Sequence, residues 1–188
     1  MQRRKLQTPD DALALLAELG APARLVRHGR LVLEAAEELL VQMNALGLVV
    51  DATLVRSGAV LHDAGKALHP SELDAPGARH EEAGEQLLLA RGVEPAVARC
   101  CVSHAQWALL PCSLEELLVA LADALWKGVR RDALEKRVVE ECARRLGVDT
   151  WSIFVGLDSC FEAIADRGAE RIARSLQPEA GATAGQSL

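Results

Sequence analysis

The sequence predicts an all-α bundle, on three observations. Half of the 188 residues are hydrophobic, yet aromatics make up only 3% and Tyr is absent. Leu, Ala and Val are left to fill the core, which favours helix-on-helix packing over a β-sandwich. Apolar residues recur at helical spacing along the chain, and capping residues punctuate the segments.

Thr8-Pro9-Asp10-Asp11 is a helix start: a capping hydroxyl, Pro at the first helical position, and acids facing the dipole. That helix stops at Gly20. A second is expected from about Pro22 to Asn44, with Leu25, Leu31, Val32, Ala35, Leu39 and Met43 on one stripe and His28 on the same stripe. Asp51 can cap a third, Ala52 to about Ala64, which Gly65 ends. Lys66 to Arg79, with Pro70, Pro76 and Gly77, reads as a loop. His80 stands at or near the start of the next helix, whose inner face continues through Ala83, Gly84, Leu87 and Leu88. Glu94-Pro95 opens another, with Val97, Cys100, Cys101 and His104 on one side. Ser113-Leu114-Glu115-Glu116 is a capping box at the head of a strongly apolar helix running to about Arg131, with Asp123 in its middle. Asp132 and Asp149 are expected N-caps. The last helix, Thr150 to about Leu176, carries Ile153, Phe154, Leu157, Phe161, Ile164 and Ile172 along one face. The sum is roughly eight helices in a single domain over residues 1–176. The Pro/Gly/Ala/Ser-rich stretch 177–188 is expected to be a disordered tail.

Composition narrows the function. A formal net charge of -6 argues against a nucleic-acid polymer as partner and for a small substrate. No apolar run approaches the ~20 residues of a membrane span. Polar Thr8-Pro9-Asp10-Asp11 follows the basic Met1–Lys5 where a signal peptide needs an apolar block. Five Cys, odd in number and without framework spacing, fit reduced thiols and a cytoplasmic location.

Six polar residues stand out against this background: His28, the dyad His62-Asp63, His80, His104 and Asp123. Each lies in an apolar, helical context, where an unpartnered imidazole or carboxylate costs several kcal/mol or surrenders its charge. Asp123 alone breaks the run Val119–Trp126. A shared metal centre would satisfy all six, and imidazole and carboxylate suit Zn, Fe, Mn, Ni and Co. Neighbours on a helix diverge by about 100°, so His62 and Asp63 can reach one centre only near a helix end. His69, in the Pro-bordered loop, matches no ligand position. Cys100 and Cys101 read as small buried hydrophobes.

The order His, His-Asp, His, His, Asp resembles the HD-domain superfamily of metal-dependent phosphohydrolases. Ala59–Lys66 is similar to its dyad motif, Arg79–Gly84 to its third motif, and Leu121-Ala122-Asp123 followed by Gly128 to its last. The likeness spans about residues 22–131, the metal-site core, with the helices of about 132–176 outside it. It implies an HD-type fold and a minimal one-metal set of His28, His62, Asp63 and Asp123. Adding His80 and His104 resembles the two-metal members, with Asp63 bridging two divalent transition ions (Fe, Mn, Co, Ni or Zn). It further implies hydrolysis of a phosphoester or phosphoanhydride of a small phosphorylated compound, such as a nucleotide, by a metal-bound hydroxide. Lys66 matches lysines associated with the substrate phosphate in that superfamily, so Asp63 and Lys66 are the expected catalytic pair. Lys127 lies four residues after Asp123 and shares its helix face. With Arg130 or Arg131 it forms either a cationic ladder for substrate or a solvated stripe. Trp107 either lines the cleft or packs in the core. Two other functions fit the same ligand order: a di-iron oxygenase cleaving a C–C or C–P bond, and a non-catalytic regulatory module that retains its metals.

Overall fold

The computed structural model describes residues 4–177. Among them the chain forms α1 (Pro9–Glu18), α2 (Ala23–Ala45), α3 (Ala52–Leu61), α4 (Arg79–Ala90), α5 (Pro95–Gln106), α6 (Leu114–Leu125), α7 (Asp132–Leu146), α8 (Thr150–Asp166) and α9 (Gly168–Ser175). Two 3-10 turns, Ala64–Ala67 and Pro70–Leu73, structure the segment between α3 and α4. There is no strand among the described residues, so the all-α expectation holds. The tail expected at 177–188 falls, past Gln177, outside the described residues.

The capping chemistry read from sequence forms at four helix starts. Thr8 and Asp11 make a reciprocal box on α1, Ser113 and Glu116 another on α6, and Asp51 accepts from Leu54 N on α3. Asp149 caps α8 in the same way. Asp132 does not cap α7: it is the first helical residue, and Arg131 is the N-cap. Glu135 accepts from the Arg131 amide instead.

α6 is the hub. Every residue from Leu114 to Leu125 is buried except Asp123, and the helix packs against α2, α3, α5, α7 and α8. A helix apolar on all sides must be surrounded. Leu117, Leu118 and Leu121 are essentially inaccessible, each contributing about 1.5–3 kcal/mol by leaving water. Around α6, one cluster joins residues of α2, α3, α6, α7 and α8. A second joins α1 to parts of α2, α3, α4 and α5. Cys100 belongs to the first and Cys101 to the second. All five cysteines are free thiols.

Three expected boundaries shift, each for a steric reason. α3 ends at Leu61 rather than Ala64, with His62 as its C-cap. Gly65 is not the left-handed stop expected there. A Cβ on Gly65 would sit 2.0 Å from the His80 carbonyl oxygen and 2.6 Å from the Gly84 amide nitrogen; its bare Cα lets the post-α3 turn lie directly on α4. α6 stops at Leu125 instead of reaching Arg131, because Gly128 takes a left-handed φ of 78°. The expected last helix breaks into α8 and α9 at Arg167. There a Cβ on Gly168 would lie 2.2 Å from the Gly128 nitrogen, so the two glycines pin the α8–α9 turn to the turn after α6. Phe154 and Ile172, expected on the inner face, are 38% and 39% exposed.

Gly65→Ala is expected to cost about 1–3 kcal/mol, since the atoms in its way are backbone. Gly156→Ala in α8 meets only Gln42 Nε2 at 3.8 Å and is expected to be neutral or stabilising by up to about 1 kcal/mol. Urea denaturation of both variants checks the contrast through the midpoint.

Candidate metal centre

The six singled-out residues meet at one point, delivered by five helices. His28 comes from the first third of α2, His80 from the first turn of α4, His104 from the last turn of α5, and Asp123 from α6. His62 and Asp63 sit where α3 gives way to the 3-10 turn. Asp63 has φ -99° and ψ 11°, in the sparsely allowed bridge region that active-site residues often occupy. That departure from helix turns its carboxylate toward the same point as the His62 ring. The expectation that the dyad needs a helix end is met.

The geometry divides around Asp63. Its Oδ2 lies 3.2 Å from His28 Nε2 and 3.7 Å from His62 Nε2. Its Oδ1 lies 3.2 Å from His80 Nε2 and 3.7 Å from His104 Nε2. Asp123 Oδ1 completes the first group, 3.7 Å from His28 Nε2 and 3.6 Å from His62 Nε2. One carboxylate thus faces a pair of imidazoles with each oxygen.

The tautomers are set from behind. His62 Nδ1 donates to the Ala59 carbonyl at 2.9 Å, and His104 Nδ1 to the Cys100 carbonyl at 3.0 Å. His80 Nδ1 donates to Glu72 Oε2 at 2.6 Å. A neutral imidazole with its proton on Nδ1 presents a lone pair on Nε2. Lone pairs on Nε2 facing carboxylate oxygens repel unless a cation lies among them or the ring takes up a second proton. Asp63 Oδ1 and His80 Nε2 are also buried without a hydrogen-bond partner, which costs free energy unless something fills the gap. His/Asp donors, backed by acceptors on the far ring nitrogen, fit divalent cations. The ligand atoms of His28, His62 and Asp123, and those of His62, Asp63 and His104, each fall within 4.8 Å of one another.

Without metal, the charges lean on each other. Burial pushes the His62 imidazolium down, but Asp63 and Asp123 outweigh it and raise its pKa. His80 is raised against its burial by Asp63 and Glu72. His104 is driven down to about 4 by burial and the nearby His62. Burial would raise Asp63 and Asp123, yet the surrounding imidazoles hold both well below the carboxylate range.

A cleft of about 370 Å³ opens over this centre. Lys66 Nζ donates to Asp63 Oδ2 at 2.6 Å and Lys127 Nζ to Asp123 Oδ2 at 3.2 Å, and both line the cleft with Arg24. Arg24 also pairs with Asp74 across the mouth. Ser175 and Leu176, from the end of α9, form another part of the wall. A larger cavity of about 580 Å³ involves residues 4–7 and the starts of α3 and α5, and holds none of the six.

Arg130 does not join the cleft. It donates to Glu135 at 2.7 Å and to Asp158 at 2.5 Å, because α6 ends before it and the chain turns at Gly128 toward α7. The ladder expected beyond Lys127 therefore stops at Lys127. Arg131 serves α7 as its N-cap. Trp107 packs against the α6 core. His69 is the N-cap of the second 3-10 turn and is absent from the cleft lining. Two contributors were not read from sequence. Trp126 packs edge-on to His28, ring centroids 5.0 Å apart, and donates Nε1–H to Asp123 Oδ1 at 3.2 Å; its spacing of three residues from Asp123 was the available signal. Glu72 sits in the stretch read as plain loop, where no periodicity marks it.

The HD domain family model matches residues 25–126, just over half the chain, and the chain belongs to that family. An uncharacterised protein of Methanocaldococcus jannaschii is 30% identical over 159 residues, covering 77% of this chain and 89% of that protein. A tRNA (cytidine(56)-2'-O)-methyltransferase of Thermoplasma volcanium is 28% identical over 162 residues, 73% of this chain but 45% of the relative. Ribonuclease Y of Treponema pallidum is 31% identical over 121 residues, 63% of this chain and 23% of the relative. This chain thus spans less than half of each of the latter two. No solved structure gives a significant match. No helix among the described residues is long and apolar enough to cross a membrane.

Because His62 and His80 are raised above their ordinary value, each carries part of a proton near neutral pH until a cation displaces it. Metal binding is therefore expected to release protons and to weaken steadily as pH falls from 8 to 6. Calorimetric titration with Mn2+ in buffers of different ionisation enthalpy reads the released protons directly.

Proposed function

We propose that this chain is a metal-dependent phosphohydrolase acting on a small phosphorylated compound. The observation that carries the reading is the pairing of the six-residue His/Asp cluster with two lysines, each already seated on one of its aspartates. His28, His62, Asp63 and Asp123 would hold one ion; Asp63, His80 and His104 the other. Divalent ions held there supply Lewis acidity toward a phosphate and the water that attacks it.

The chain's own residues supply the rest. Asp63, with one oxygen toward each pair of imidazoles, would contribute to both positions. Lys66 and Lys127 offset the two aspartates and keep further N–H donors for phosphate oxygens, where negative charge grows as the bond to phosphorus breaks. Arg24, at the mouth, can reach a second anionic group of the substrate. The indole of Trp126 screens one side of the centre from water and fixes Asp123.

Two of the relatives are named for RNA substrates, so an internal phosphodiester is the competing reading. The net charge of -6 and a cleft of about 370 Å³ favour a small molecule, since pockets for such ligands start near 300 Å³ and a polymer backbone calls for a basic surface.

A panel of nucleotides, other phosphomonoesters and a short RNA, assayed with Mn2+, Fe2+, Co2+, Ni2+ or Zn2+, tests the proposal. Turnover of small phosphoesters is expected, with complete loss in Asp63→Ala and a drop of about 10²–10³-fold in kcat for Lys66→Ala. Inactivity of the metal-loaded protein on every phosphoester would end the reading; cleavage of RNA alone would replace its substrate.

A further inference from the structure

The two halves of the centre are held by different means. The first draws on α2, the end of α3 and α6, and its Asp123 is fixed twice, by Trp126 and by Lys127 at 3.2 Å each. In the second half, the His104 ring is fixed within its own helix by the Cys100 carbonyl. His80 has no such support from α4. It lies in the first turn, where backbone N–H groups lack intrahelical partners, and the N-cap, Ala78, contributes no side-chain hydrogen bond.

Glu72 fills both needs from outside the helix. Its Oε1 accepts from the Arg79 amide at 3.2 Å, and its Oε2 from the His80 amide at 3.1 Å and from His80 Nδ1 at 2.6 Å. One carboxylate thus closes the first turn of α4 and orients the ring that turn carries. The fit is close: a Cβ on Gly77 would come within 2.5 Å of Glu72 Cδ, so the bare Gly77 lets the side chain lie where it does. The far nitrogen, His80 Nε2, ends up buried and unpartnered, 3.2 Å from Asp63 Oδ1.

We propose that Glu72 is the positioning residue for the second metal ion. It holds His80 Nε2 on the Asp63 Oδ1 side, so the His80/His104 position fills only when the 64–78 segment is folded with Glu72 in place. The His28/His62/Asp123 position fills without it. The inference rests on the two-metal reading given above.

The test uses the full chain, stripped and reloaded with Mn2+, with ions per chain from elemental analysis, affinities from calorimetry, and electron paramagnetic resonance to separate coupled ion pairs from isolated ions. Wild type is expected to bind two ions with a coupled spectrum. Glu72→Ala should bind one, with an isolated-ion spectrum and an unchanged first affinity, as should His80→Ala. Glu72→Gln keeps an acceptor oxygen and should retain two ions, the second about 10-fold weaker. Two ions in Glu72→Ala with unaltered affinities, or equal weakening of both, overturns the role of Glu72. A single ion in wild type overturns the two-metal reading instead, and this role with it. Should Glu72→Ala lose its helical circular dichroism, Glu72→Gln decides: a second affinity equal to wild type refutes the proposal.

Discussion

The Asp63 carboxylate, caught between two pairs of imidazoles, is the constraint around which the rest of the molecule is arranged. A buried anion of this kind is tolerable only with positive charge or donors on every side. Five helices must therefore bring their ends or faces to within a few ångströms of one residue. Close helix approach demands small residues at the crossings, and these are found: Gly29 lies against the Val60 backbone, Gly58 against Cys100 and Val119, and Gly65 against α4. The packing of the bundle and the chemistry of its centre are one requirement seen at two scales.

The features legible in the sequence were those that broke a local rule. Asp123 interrupts an apolar helix, His28 occupies a stripe otherwise made of Leu, Val, Ala and Met, and the dyad precedes a glycine; each contradiction pointed to a partner elsewhere in the fold. Helix starts were legible because caps are local chemistry. What stayed hidden was non-local. Arg130 was placed on the substrate side because periodicity carries a helix through Gly128, whereas the contact between Gly128 and Gly168 that ends it joins residues far apart in the chain. The same contact hid the break between α8 and α9. Glu72 was invisible because nothing in a polar, Pro-bordered segment distinguishes a solvated glutamate from one that reaches forward to a helix start seven residues on.

Membership of the HD family accounts for residues 25–126, and the six clustered side chains all fall within it. The fold alone does not select a substrate. The parts of the cleft wall that can do so include groups the family match does not cover: Arg24 and Lys127 lie just outside its two ends, and Ser175 and Leu176 are supplied by α9.

The attachment of α9 has its own consequence. Its buried residues are only Gly168 and Arg171, and arginines hold it to α2: Arg171 to Glu38 at 2.6 Å, and Arg174 to Glu34 at 2.5 Å. Arg171 is 3% exposed, whereas the Arg174 pair is 40% and 44% exposed. Mobile ions screen exposed charges far more than buried ones, over a Debye length of about 10 Å at 0.1 M. Ionic strength therefore weighs unevenly on this short helix, more on the exposed Arg174–Glu34 pair than on the sheltered Arg171–Glu38 pair, while the hydrogen bond from Arg27 to the Ser175 carbonyl at 2.9 Å keeps its last residue against α2.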